Sequence, residues 1–249
     1  MASRAARHVL FALLLLQLAA ACGRIGAKRY EYEEELYLAL DGSATLNVNA
    51  SVPALVALRG AALPLDASKR LDRDQVRGLF AAPGVTPSVN VSRRDGRRFV
   101  HVSLEVDRLD RLAQVPALAW SRYRFERDAD VVEYRQTIGP AAGSAVGEVG
   151  WTGEEIVAFR MHVPSEILFH NTPSRQQDRG NILSWEQPLA ARLQGEPLDL
   201  RVRMEPESIL YTTLLLFGAT IVAAALTFAV ILWWMARRAR GAHLAESPS

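Results

Sequence analysis

Four arginines crowd one short stretch of the chain. Arg93, Arg94, Arg97 and Arg98 flank an Asp-Gly pair in VSRRDGRRFV. Guanidinium groups at this spacing suit the oxygens of phosphate or carboxylate, which they grip through paired N–H donors. With no acid beside them but Asp95, the cluster reads in two ways. It is the solvated tip of a hairpin, where polar residues need no ligand. Or it contacts anionic headgroups, each cation contributing about 1 kcal/mol near the surface and within a Debye length. The second reading requires the tip to face a bilayer.

Other groups with chemical potential are sparse. Cys22 is the chain's single cysteine, so no disulfide can form within it. Of the 5 histidines, His101 is expected in water, and His162 and His170 lack the neighbouring ligands of a metal site. The glutamates Glu31, Glu33, Glu34 and Glu35 read as a solvated strand face. Asn49 and Asn90 match the glycosylation acceptor pattern, which matters only in a eukaryotic secretory pathway. No phosphate loop, nucleophile elbow or HExxH pattern occurs. The chain is read as non-enzymatic, without cofactor or metal.

The two ends place these groups. Arg4 and Arg7, the apolar run Val9 to Leu16 and the small residues Ala19 to Ala21 have the layout of an export signal over 1–21. Cys22 then follows either an ordinary cleavage site or a lipobox, in which it would be acylated; Ala19 stands where the lipobox usually has Leu. From Ile209 to Met235 no residue is charged, which is long enough to cross a bilayer with some tilt. Tyr211, Trp233 and Trp234 mark its edges, and Arg237, Arg238 and Arg240 place the tail, 236–249, in the cytoplasm. Small residues on the span (Gly218, Ala219, Ala223, Ala224, Ala225) would let a second helix approach. The chain is thus expected in the inner membrane, crossing once, with residues 22–208 exported.

That domain must rest on packing. The 249-residue chain carries a formal charge of +2, which does not suggest nucleic acid. Alternating apolar runs around Asp41-Gly42, around Asp95-Gly96 and near Asp128–Asp130 predict three hairpins. Short helices are expected from Val52 to Gly60, capped by Ser51 with Pro53 in the first turn, and after Asp72, where Gln75 completes a capping box. Asp107 is expected to cap another short helix. The stretch 139–153 is rich in Gly and Ala and reads as a loop or internal linker. Strands are expected at Val157–Val163, at NILSW and at LDLRVRM, the last leading through Pro206 into the span. The fold class is α+β: an antiparallel sheet built from hairpins, with short helices packed on it and one C-terminal transmembrane helix.

This layout resembles the bacterial LppM-type lipoproteins. The likeness rests on the lipobox-like cysteine, the single C-terminal helix with its arginines, and the order FRMHVPSEILFHNT, GNILSWEQPL, LDLRVRM, which includes Asn171 and Trp185. The resemblance implies an envelope protein with an α+β domain that binds lipid or glycolipid. It supplies no matching binding residue. An envelope scaffold or sensor acting through protein contacts is the alternative. A closed apolar cavity would favour lipid, and a flat exposed apolar patch a protein partner.

Overall fold

A computed structural model describes residues 28–245. The export signal and Cys22 lie outside the described residues.

The three predicted hairpins form. Strand β1 (Arg29–Leu38) pairs with β2 (Ala44–Ser51), β3 (Ser88–Arg94) with β4 (Arg97–Val106), and β5 (Ser121–Arg127) with β6 (Val132–Ile138), all antiparallel. At the β3–β4 tip Asp95 and Gly96 both take positive φ, 50° and 73°, as a two-residue hairpin turn requires.

Instead of one antiparallel sheet, the strands make two. The larger has the order β3-β4-β2-β1-β7-β9, with β7 (Glu155–His162) and β9 (Ile182–Pro188). Here β7 docks parallel on the free edge of β1, so residues far apart in sequence share one ladder. The smaller sheet runs β5-β6-β10-β8, with β8 (Ser165–His170) and β10 (Leu198–Ser208). Strand β8 was not predicted as an element of its own, because only Val163 and Pro164 separate it from β7.

The core fills the space between the sheets and beneath the helices. Leu36, Leu46, Val48, Leu104 and Phe159 from the larger sheet meet Tyr134, Val202 and Met204 from the smaller. Helix α1 (Val52–Arg59) is buried from Val52 to Leu58; Ser51 caps it by accepting from the Ala54 amide at 3.1 Å, and Gly60 closes it in the left-handed conformation. Helix α2 (Arg73–Phe80) starts at Asp72, which accepts from the Asp74 amide. Gln75 does not complete the expected capping box, since its amide donates to the Ala62 carbonyl at 2.6 Å. Nor does Asp107 cap a helix: it pairs with Arg111 beside a 3-10 turn over Leu109–Gln114. A short α3 (Leu189–Leu193) follows β9.

The 139–153 stretch is a loop laid on α1. The Ala142 amide donates to the Leu58 carbonyl at 3.0 Å and Ser144 to Val56. Gly143 passes so close that a Cβ there would stand 2.1 Å from the Val56 oxygen. Because β1 pairs with β7 across it, this loop joins parts of one body. Helix α4 (Ile209–Ala245) leaves directly from β10, and its Ile209–Met235 portion has a mean hydropathy of 2.5, with none of the residues in its most apolar window buried.

Strand registers give the domain two ends. Gly42 in the β1–β2 turn, the end of β10 and the start of β8 gather where α4 begins. Arg127 ties them, donating to the Leu40 carbonyl at 2.9 Å and the Pro206 carbonyl at 3.3 Å, while Ser208 pairs with Ser165. At the opposite end lie Arg29, Ser51, Arg97 and Glu155.

Candidate functional site

The four arginines belong to that opposite end. Arg94 donates to the Tyr30 carbonyl at 2.6 Å, near the start of β1. From Tyr30 to Leu38 the strand rises roughly 26 Å at about 3.3 Å per residue, well beyond a Debye length of about 8 Å. A headgroup contact with a bilayer crossed by α4 would require the tip to face it, and this register puts the tip at the opposite end of the domain.

Two of the four are also committed elsewhere. Arg97 is ion-paired at 2.8 Å to Glu31, whose side chain is fully buried, and donates to the Gly150 carbonyl at 3.0 Å. Trp151 Nε1 donates to the other Glu31 oxygen at 3.2 Å. Arg98 is 3 % exposed, and its guanidinium donates to the carbonyls of Pro64, Asp66 and Lys69. Burial, and then the charge of Arg93, pull its pKa below the usual arginine value. Arg97 and Arg98 therefore build structure. Arg93 and Arg94 remain at the surface: Arg93 holds the Ala67 carbonyl at 2.8 Å, and Arg94 lies 4.1 Å over the Phe99 ring.

What Arg98 builds is the wall of a groove. By fixing the 64–69 segment it brings Lys69 opposite β3, and Lys69, Arg70, Asp72, Arg73, Arg77 and Arg93 line an open space of about 930 Å³. The acids there are occupied, Asp72 by the α2 cap and Asp74 by its ion pair with Arg77. Among the described residues no ion pair engages Lys69, Arg70, Arg73 or Arg93. The groove thus carries an excess of positive charge, an arrangement suited to an anion. Sequence reading missed it because Lys69 to Arg77 meet Arg93 only through tertiary packing. Two cations beside a helix cap in SKRLDRDQVR were the available signal.

The expected solvated face of glutamates is divided. Glu31 and Glu34 are buried, whereas Glu33 pairs with Arg160 and Glu35 with His162 at 2.7 Å. Glu34 lies between the sheets. Tyr32 Oη donates to it at 2.6 Å, Trp120 Nε1 at 3.4 Å and Gln136 Nε2 at 3.1 Å, and Gln136 belongs to β6. Burial raises the Glu34 pKa above the usual carboxylate range, although the three donors and Arg59 act against it. Arg59 and Arg192 lie 4.7 Å and 5.0 Å from the Trp120 ring centre. The void beside this group measures about 10 Å³, so Glu34 joins the sheets and has no space for a substrate or an acyl chain.

His101 is engaged rather than merely wet. Its Nδ1 meets Asn49 Oδ1 at 2.8 Å and its Nε2 meets Ser92 Oγ at 2.7 Å. His162 stacks on Tyr37 at 3.9 Å, and His170 meets Thr172 Oγ1 at 2.8 Å. Among the described residues no cluster of His, Cys, Asp and Glu is placed to hold a metal ion.

No family model matches this chain, and no curated protein does. A solved structure is similar to it: the folded domain of LppM from Mycobacterium tuberculosis, determined by NMR. The match covers 74% of this chain and 95% of that one, at 11% identity and a TM-score of 0.41.

Proposed function

We propose that this chain is a single-pass protein of the bacterial inner membrane whose exported domain binds the anionic headgroup of a lipid or glycolipid. The tail beyond α4 is cytoplasmic in this reading, and the domain acts by binding and not by catalysis. The groove of Lys69, Arg70, Arg73 and Arg93 carries the proposal. It offers unpaired guanidinium and ammonium groups converging on one open space. The void between the sheets, about 10 Å³, is not the closed apolar cavity that would favour an enclosed lipid, so the reading is confined to the headgroup and rests on the groove. The position of the groove, at the end of the domain away from α4, means that its ligand is presented apart from the anchoring bilayer. Of the four arginines of the knuckle, Arg93 is kept, and Lys69, Arg70 and Arg73 replace Arg94, Arg97 and Arg98.

The test is co-flotation of the full chain, held in nanodiscs, with vesicles of phosphatidylcholine with or without phosphatidylglycerol. Wild type is expected to bind the anionic vesicles with a steep salt dependence. The combined variant Lys69→Ser, Arg70→Ser, Arg73→Ser should lose about a hundredfold in affinity at low salt, since each of the three cations contributes about 1 kcal/mol. Equal binding by the variant at low salt would overturn the assignment.

A further inference from the structure

We propose that Leu168 and Phe169 form a second membrane contact, resting on the interfacial zone of the bilayer that α4 enters. The inference depends on α4 being a span, as proposed above.

Strand β8 is an edge: it pairs with β10 and has no partner on its other side. An exposed apolar edge invites unwanted pairing unless something covers it. Leu168 is 51% exposed and Phe169 45%, the two most exposed large apolar residues among those described outside α4. They point outward together because of a bulge. Ile167 is opposite Met204 and Phe169 is opposite the next residue back along β10, Arg203, so Leu168 has no partner of its own. Bulges of this kind re-aim side chains and place neighbours on one face.

The cover is identified by what lies next to it. Strand β8 begins at Ser165, opposite Ser208, the residue before α4, and the Ile209 amide donates to the Pro164 carbonyl. Tyr211 and Trp233 stand about 33 Å apart on α4 at about 1.5 Å per residue, close to the hydrocarbon thickness of about 30 Å. With Tyr211 at that boundary, Ser208 and Ser165 sit among the headgroups. Leu168 and Phe169 follow within about 10–13 Å along the strand, so a modest lean of the domain brings them into contact with the bilayer surface. Exposed Arg203 stands beside them with a charge suited to phosphate, while Arg201, 5.9 Å from the Phe169 ring, is ion-paired with Glu133 at 2.9 Å. The proposal orients the domain: β8 toward the anchoring bilayer, and the cationic groove away from it.

Site-directed spin labelling of the full chain in vesicles of phosphatidylcholine and phosphatidylglycerol tests this, with Cys22→Ser removing the native thiol. Labels are placed one at a time through Leu168→Cys, Phe169→Cys, Leu193→Cys and Ala224→Cys. Leu193 is 40% exposed on α3, at the end away from α4, and serves as the aqueous reference. The expected result is a several-fold higher ratio of oxygen to nickel-chelate accessibility at 168 and 169 than at 193, with the maximum at 224. Ratios at 168 and 169 equal to that at 193, while 224 remains high, would overturn the contact and leave the span intact. A low ratio at 224 would instead remove the span on which both readings depend. Dipolar broadening at 168 or 169 that dilution with unlabelled protein removes would assign the edge to a second copy of the chain, which also overturns the proposal.

Discussion

Substituting Arg97→Ser separates the buried ion pair from the surface knuckle. Arg97 is 10% exposed at its side chain, and its partner Glu31 is fully buried. Removing the guanidinium leaves the carboxylate with the single Trp151 donor at 3.2 Å. It also frees the Gly150 carbonyl, which Arg97 holds at 3.0 Å. Breaking a buried pair from one side costs about 3–5 kcal/mol, because the remaining charge stays desolvated without its partner. Arg93→Ser and Arg94→Ser remove only surface contacts and should each cost less than about 1 kcal/mol. The measurement is urea unfolding of the full chain in detergent, followed by tryptophan emission. With a slope of about 2 kcal/mol per molar, the Arg97→Ser midpoint should fall by roughly 2 M. The paired replacement Arg97→Met with Glu31→Leu should recover most of that loss, since an apolar pair of similar volume carries no desolvation cost. An Arg97→Ser midpoint unchanged from wild type, together with lost binding to anionic vesicles, would return Arg97 to the ligand site and refute the structural role.

Three further outcomes follow from other parts of the fold. Gly143→Ala forces a Cβ to 2.1 and 2.2 Å from the Val56 and Ala57 oxygens and should cost about 3–5 kcal/mol in the same unfolding assay through overpacking and two strained hydrogen bonds; a change below about 1 kcal/mol would mean the loop is not seated on α1. Gly78→Ala, on α2 with open space around it, should stabilise by about 0.5–1 kcal/mol, and a loss would contradict its exposed helical setting. Glu34 has a pKa raised by burial, so the folded chain keeps this proton to higher pH than the unfolded chain does. Stability drawn from the neutral form is full below the unfolded carboxylate pKa and is lost as pH rises through the folded value. The stability difference between wild type and Glu34→Gln should therefore shift against wild type as pH rises from about 4, and parallel pH profiles would exclude the effect.

The local elements were legible because their causes are local. Asp41-Gly42 and Asp95-Gly96 turn because an Asp-Gly pair accommodates the positive φ of tight hairpins, and Ser51 and Asp72 cap helices through contacts only two or three residues away. What escaped was set by partners distant in sequence. The parallel pairing of β1 with β7 and the ion pair of Glu31 with Arg97 exist only after collapse, and neither leaves a periodic trace. Glu34 is an instructive case, since its burial was written in the alternation. Leu36 and Leu38 fix the inward face of β1, and stepping back by two reaches Glu34 and then Tyr32. The charge of Glu34 points to solvent, but parity governs a strand whose face is already buried. Glu31 then breaks the alternation through the irregularity between Tyr30 and Tyr32, and no count along the sequence would have found it.

The same distinction explains why the arginine cluster misled. Four like charges at a turn are compatible with solvent, with a ligand, or with acceptors brought in by other elements. The chain treats them differently within six residues: Arg98 takes three carbonyls, Arg97 takes a buried carboxylate, and Arg93 and Arg94 stay at the surface. A cation satisfied by backbone carbonyls is spent on architecture. Its contribution to binding is indirect, through the position it gives to neighbours whose charges remain unpaired. Arg98 holds Lys69 in place, and Lys69 faces the groove. Arg98 itself lines the groove it positions, so truncating Arg98 should weaken the fold and the proposed anion site together.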